Sequence, residues 1–226
     1  MREIVLDTET TGFHALGGDR LVEIGGVEMI NHVPTGKHYH QYINPERLVP
    51  MEAQRVHGLT DEFLADKPVF AAIAGDFLDF IGDAQLVIHN AEFDMSFLNA
   101  ELGRLGLPAI PMSRSTDTLK IARQRFPGAQ ATLDALCRRF GIDNSGRTLH
   151  GALLDAELLA EVWLEMCGGR EPGLAIVATK TQAGAAAIAV ERTARPPRPH
   201  APTEAELEAH LAFIKGLGDP LWLKEG

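Results

Sequence analysis

Residues 3–9, Glu3-Ile4-Val5-Leu6-Asp7-Thr8-Glu9, alternate with β-type character and read as a first strand. Residues 21–30 and 39–43 read as two more, consistent with a meander. Residues 50–68 are loop-rich, with short helical turns. Over residues 69–81 the apolar positions Phe70, Ile73, Phe77, Phe80 and Ile81 recur at helical spacing. Leu86-Val87-Ile88 is a short apolar run that fits a buried strand. Asn90 stands where an N-cap belongs, ahead of a helix carrying Phe93, Phe97, Leu98 and Leu102. Residues 117–125 and 132–140 read as two further helices, the second capped by Thr132. A last core helix is expected from about Leu149 to Met166, stopping at Gly168-Gly169. Strands alternating with helices after a meander predict an α/β class, a mixed sheet with helices on its faces, closing near residue 169.

Beyond that point the pattern changes. Residues 170–202 are rich in Ala, Gly, Thr, Arg and Pro, and Arg195-Pro196-Pro197-Arg198-Pro199 suits neither a helix nor a central strand. The segment reads as a flexible linker. Order is expected to return at Thr203, which forms a capping box with Glu206. Leu207, Leu211, Ile214 and Leu217 then fall on one helical stripe, and Leu221-Trp222-Leu223 follows. Residues 203–226 are too short to bury their own apolar face, so a tethered docking tail is the expectation.

Composition narrows the class. The 226 residues are 45% apolar, enough for one sizeable core. Two cysteines, Cys137 and Cys167, make neither a disulfide framework nor a zinc cluster, and point to a reducing cytoplasm. The start of the chain has no secretory pattern, and no apolar run approaches bilayer length. The net charge of −10 argues against nonspecific nucleic-acid binding through a basic footprint. It leaves room for an enzyme that spends acids on metal ligation and holds only a few nucleotides.

The acids fall in three short signatures: Asp7-Thr8-Glu9-Thr10-Thr11-Gly12, His89-Asn90-Ala91-Glu92-Phe93-Asp94 and His150-Gly151-Ala152-Leu153-Leu154-Asp155. Asp7 and Glu9 are two apart on a strand, so both leave one face while Thr8 points the other way into packing. A pair of carboxylates at a strand end can bridge two hard cations; a solvated strand edge is the commoner meaning of such a pair taken alone. Asp94 falls on the first turn of its helix, also a stabilising place for any carboxylate. Asp155 faces the same region from the last core helix. Five residues of helix turn about 140°, so His150 and Asp155 would not share a face, and His150 belongs at or just before the helix start. Among these acids a histidine suits a general base. Buried carboxylates repel one another unless cations lie between them, so the joint pattern points to a divalent-metal site used on phosphates.

These motifs resemble those of the DEDD exonucleases, in the subclass with a histidine base. Val56-His57-Gly58-Leu59, Leu86–Asp94, Ser115-Thr116-Asp117-Thr118-Leu119, Leu133-Asp134-Ala135-Leu136-Cys137 and Arg147–Ala156 extend the likeness over about residues 1–169. The wording is similar to the proofreading epsilon subunits of bacterial DNA polymerase III. The resemblance implies a ribonuclease H-like fold and a two-metal 3′–5′ exonuclease acting on single-stranded DNA 3′ ends. It implies that Asp7, Glu9 and Asp155 ligate two Mg²⁺ or Mn²⁺ ions, with Asp94 completing the set partly through water. It makes His150 the acceptor of the proton from the attacking water, and it places Glu52 and His57 against the terminal nucleotide. It also implies docking of the C-terminal tail to the polymerase catalytic (alpha) subunit. A glutamine-led clamp-binding segment common in the family is replaced here by Glu171-Pro172-Gly173-Leu174-Ala175-Ile176, so sliding-clamp contact is expected to be weak. Two alternatives stay open at this stage: an exoribonuclease trimming RNA 3′ ends, and a non-catalytic bridging subunit.

Overall fold

A computed structural model describes residues 1–146, 149–169 and 201–216. The segment 171–176, almost all of the expected linker, and the apolar residues Leu217, Leu221, Trp222 and Leu223 lie outside the described residues. The chain divides into two units, Met1–Ala175 and Ile176–Gly226.

The first unit is built on a five-stranded sheet. Strand β1 (Arg2–Thr10) runs at its centre, and β2 (Leu21–Ile30) and β3 (Val33–Tyr42) continue from it as an antiparallel meander. Strands β4 (Gln85–Ile88) and β5 (Ser115–Asp117) add in parallel on the other side, giving the order β3-β2-β1-β4-β5. The parallel strands are joined through helices, as parallel pairing requires. Helices α1 (Met51–His57), α2 (Asp61–Leu64) and α3 (Phe70–Ile81) follow β3. Helix α4 (Ala91–Arg104) joins β4 to β5. Helices α5 (Thr118–Arg125), α6 (Leu133–Phe140) and α7 (Ala152–Met166) complete the unit.

Alternation along β1 and β4 feeds two cores. Ile4, Leu6, Leu86 and Ile88 pack on one face with Phe70, Phe77, Met95 and Leu98 from α3 and α4. Val5 and Val87 point to the other face and join Leu136, Ala156, Leu159 and Val162 from α6 and α7. Each such buried aliphatic side chain contributes about 1.5–3 kcal/mol. Burial on both sides explains why β1 and β4 carry apolar residues at successive positions.

Polar anchors fix the helices on these faces. The Arg20 guanidinium grips Glu101 of α4 with Nε to Oε1 at 2.7 Å and Nη2 to Oε2 at 2.9 Å. Glu101 is buried, and this paired geometry is the strong kind of ion pair. The Trp163 indole of α7 donates to Glu3 Oε1 of β1 at 3.1 Å. Thr132 caps α6 through the Ala135 N–H, and Asp117 caps α5 through the N–H groups of Leu119 and Lys120.

The sheet expected from the sequence is present, with three differences. Strand β3 begins at Val33 rather than at residue 39, because residues 33–38 are exposed, carry no apolar alternation and join the sheet through pairing to β2. Ser115–Asp117 forms a fifth strand that the sequence reading missed: three polar residues show no period. Helix α7 starts at Ala152, not at Leu149, with Gly151 extended at its N-cap. In the second unit, α8 (Glu204–Lys215) begins with the expected capping box between Thr203 and Glu206, and Leu207 and Leu211 are exposed on it.

One contact sets where α7 begins. Gly25 of β2 pairs with Asp7 of β1, and a Cβ on Gly25 would lie 2.2 Å from the Ala152 carbonyl carbon and 2.3 Å from Leu153 N. Those are backbone atoms, so nothing flexible gives way. Gly25→Ala is expected to lower stability by about 1–3 kcal/mol through overpacking. Gly75→Ala, in the exposed middle of α3 with open space around it, should raise stability by about 0.5–1 kcal/mol. Urea unfolding of the two variants checks both signs; equal, small effects would mean that α7 does not rest on Gly25.

Candidate active site

The carboxylates converge at one end of the sheet. Asp7 and Glu9 leave β1 on the α7 side, Asp7 half-buried and Glu9 buried. Thr8, between them, points to the opposite face, where its hydroxyl donates to Asp94 Oδ1 at 2.7 Å. One strand thus presents two acids on one side and holds the third from the other. Asp94 is on the first turn of α4 and Asp155 on the first turn of α7, each 3% exposed. Both helix N-termini favour a negative charge there.

His150 lies just ahead of α7 and is half-exposed. Its backbone N–H donates to the Val56 carbonyl at 3.1 Å, which ties the segment to α1. Its Nδ1 is 3.4 Å from Asp155 Oδ2. Glu9, His150 and Asp155 each offer one ligand atom, and these atoms all lie within 4.8 Å of one another. Hard oxygen donors with one imidazole nitrogen suit a divalent cation such as Mg²⁺, Mn²⁺ or Zn²⁺.

These residues floor a cleft of about 680 Å³ that Asp7, Thr8, Asp94 and Phe93 also line. A second cleft of about 540 Å³ meets it at Thr8, Glu9 and Phe93. Glu52 and His57 lie there, against Gly12, Phe13 and Val56. The structure therefore brings together all seven residues singled out from the sequence, in two joined clefts.

Burial sets the electrostatics. It pushes the Asp94 carboxyl up to about 7; the Asp117 charge adds to this, while the Thr8 hydroxyl works against it. A cation beside Asp94 would remove that cost, which is an argument from the site itself for metal occupancy. Burial also pushes the His57 imidazole down, opposed by the Thr10 carbonyl and reinforced by His150. His57 Nδ1 accepts from the Leu59 N–H at 3.0 Å, so a neutral ring carries its proton on Nε2. That Nε2 is buried.

One position behaves differently from the sequence expectation. Asn90 occupies the N-cap position of α4, but in the left-handed conformation (φ 71°) and without a side-chain cap bond. Its value is the backbone turn that delivers α4 to the cleft, which asparagine tolerates better than most residues. His89, at the strand end as expected, hydrogen-bonds Thr118 Oγ1 at 3.0 Å and also lines the cleft. The Thr8–Asp94 bond was not foreseen, because the partners are 86 positions apart.

Comparison with known proteins agrees with this geometry. The family model Exonuclease (RNase_T) matches residues 4–163. The DNA polymerase III subunit epsilon of Rickettsia felis is 49% identical over 222 residues, 96% of this chain and 97% of that one. The subunit of the same name from Salmonella typhimurium is 49% identical over 237 residues, 98% and 97% of the two chains. Among solved structures, Exonuclease X in complex with 5′ overhanging duplex DNA superposes with a TM-score of 0.57 at 25% identity. That match covers 73% of this chain and 90% of the other. The sheet and its flanking helices are the ribonuclease H-like exonuclease fold. Exonucleases of this kind depend on divalent metal, and the donor set here fits one. By family model, by fold and by near-half identity from end to end, the chain belongs to the Exonuclease (RNase_T) family, alongside the epsilon subunits of DNA polymerase III.

Proposed function

We propose that this chain is the proofreading subunit of a replicative DNA polymerase III, removing mispaired nucleotides 3′ to 5′ from single-stranded DNA ends. The observation that carries the reading is the convergence of Glu9, His150 and Asp155 on one point, with Asp94 buried behind Thr8. Asp7, Glu9 and Asp155 would hold the divalent cations, two of Mg²⁺ or Mn²⁺ on this reading, with Asp94 completing the acidic set. Cations bound there would supply acidity to a water and compensation for charge on the leaving 3′ oxygen.

The protein's own groups do the rest. His150 turns Nδ1 toward Asp155 and keeps its other nitrogen for the proton of the attacking water. Because the ring is half-exposed, it then passes that proton to solvent. Water forms the new bond to phosphorus, the bond to the 3′ oxygen breaks, and a nucleoside 5′-monophosphate leaves. Glu52 and the neutral His57, through its Nε2–H, hold the terminal nucleotide in the second cleft. A mispaired end unstacks at lower cost than a paired one by a few kcal/mol, so it reaches the site more often.

The domain plan that fits this reading is an exonuclease domain over 1–169, a linker over 170–202 and a tail over 203–226. The tail docks on the catalytic subunit, and residues 171–176 contribute at most weak clamp contact. Such a subunit works in the cytoplasm. Among the described residues no helix is long and apolar enough to cross a membrane.

Asp7→Ala should lower 3′–5′ hydrolysis of a single-stranded oligonucleotide at saturating Mg²⁺ at least ~1,000-fold, equivalent to about 4 kcal/mol of barrier. Its thermal transition should stay close to wild type. Retained activity would remove Asp7 from the site. A raised carboxyl pKa also has a sign in stability. Between pH 4 and pH 7 the folded protein keeps the Asp94 proton that the unfolded chain releases, so stability falls as pH rises through that window. Without divalent metal, thermal unfolding should show this fall, Asp94→Asn should flatten it, and Mg²⁺ should restore stability most at the alkaline end. A metal-free profile flat from pH 4 to 8 would contradict the raised Asp94. Deleting residues 203–226 should abolish co-purification with the catalytic subunit while leaving hydrolysis of free oligonucleotides intact; unchanged co-purification would place the docking surface elsewhere.

A further inference from the structure

The cleft that Asp7, Glu9, Asp94 and Asp155 floor is lined by a fifth acid, Asp134, and by one basic side chain, Arg123. Arg123 is the only lysine or arginine among the described lining residues. Its surroundings distinguish it from its basic neighbours. Lys120 pairs with Asp117 at 3.6 Å. Arg125 donates to the Met166 carbonyl and lies over the Phe126 ring, and Arg139 covers the same ring at 4.4 Å. Arg123 is exposed on the last turn of α5 and makes no hydrogen bond or ion pair among the described residues. A C-terminal helix turn suits any cation, which would account for a basic residue there but not for its place in the cleft.

The joined clefts give a direction to the strand. On the exonuclease reading the terminal nucleotide lies with Glu52 and His57 in one cleft, which puts the scissile phosphate at Glu9, shared by both clefts, and leaves the other cleft for the remaining strand. Its next phosphates then pass a wall whose fixed charge is negative apart from Arg123. For a chain of net charge −10, a guanidinium at that point adds attraction for the strand. We propose that Arg123 binds a backbone phosphate of the single strand on the 5′ side of the scissile bond. It is a substrate-binding residue for the strand and has no part in the bond-breaking step. The proposal rests on the exonuclease reading above.

The test compares two substrates on the full-length chain: a single-stranded oligothymidylate, and the 4-nitrophenyl ester of thymidine 5′-monophosphate, which has no upstream phosphate. For Arg123→Ala, the oligonucleotide KM should rise about tenfold, as loss of one charge-assisted hydrogen bond implies. Its kcat should change little, and ester hydrolysis should match wild type. The slope of log kcat/KM against log salt should become shallower by about 0.7, one phosphate contact on a single strand. Arg123→Lys should keep the wild-type slope and recover most of the KM. An unchanged KM and slope in Arg123→Ala, an equal loss on both substrates, or no recovery with lysine overturns the proposal. A wild-type chain that cleaves neither substrate overturns the exonuclease reading, and this proposal falls with it.

Discussion

The first turn of α7 rests directly on the backbone of β2, and that is possible only because residue 25 has no side chain. The same ladder position pairs Gly25 with Asp7. A helix N-terminus is thereby pressed against the strand that carries two acids, and Asp155 arrives beside Glu9. The order of strands, the alternation in β1 and the length of α7 all serve this contact. Had the helix been held off by a methyl group, the carboxylates would face one another across water, and the ligand atoms of Glu9, His150 and Asp155 would not share one point.

Holding the acids together is costly, and the structure distributes the cost. Asp94 is buried with its carboxyl raised, steadied by the Thr8 hydroxyl from the back of the same strand that presents Asp7 and Glu9. Two helix N-termini contribute partial positive charge, but a dipole offsets only part of the burial of a carboxylate. A divalent cation is the remaining means of neutralising the cluster. Metal binding there would therefore be coupled to the stability of this region. The Arg20–Glu101 pair does the opposite work at the side of α4: its charges, joined by Glu46 and Arg104, are matched within the protein, so it fixes the helix.

Much of this was legible in the residues themselves. The β-type character of residues 3–9 announces a strand, and the apolar run Leu86-Val87-Ile88 announces a buried one. The caps at Thr132 and Thr203 act within three residues of themselves, so no tertiary information is needed to see them. The three acidic signatures are visible for a related reason: each pairs its acids with a local element, a strand end or a first helical turn, whose geometry is fixed by spacing. The residues 33–38 and 115–117 were harder. An edge strand and a three-residue strand carry no apolar period, and only their backbone partners make them strands. Asn90 misled in mechanism, because a cap position and a left-handed turn favour the same residue.

The chain by itself thus determined the elements, the identity of the acids and the kind of chemistry they serve, because propensity, period and capping operate over a few neighbours. Only the tertiary structure decided which acids stand beside His150, that Thr8 steadies Asp94, and that Arg123 lines the cleft while Arg125 covers Phe126. Those facts depend on distances between residues tens of positions apart, set by how closely α5 and α7 sit on the sheet. Packing at positions such as Gly25 fixes that closeness, and no periodicity records it.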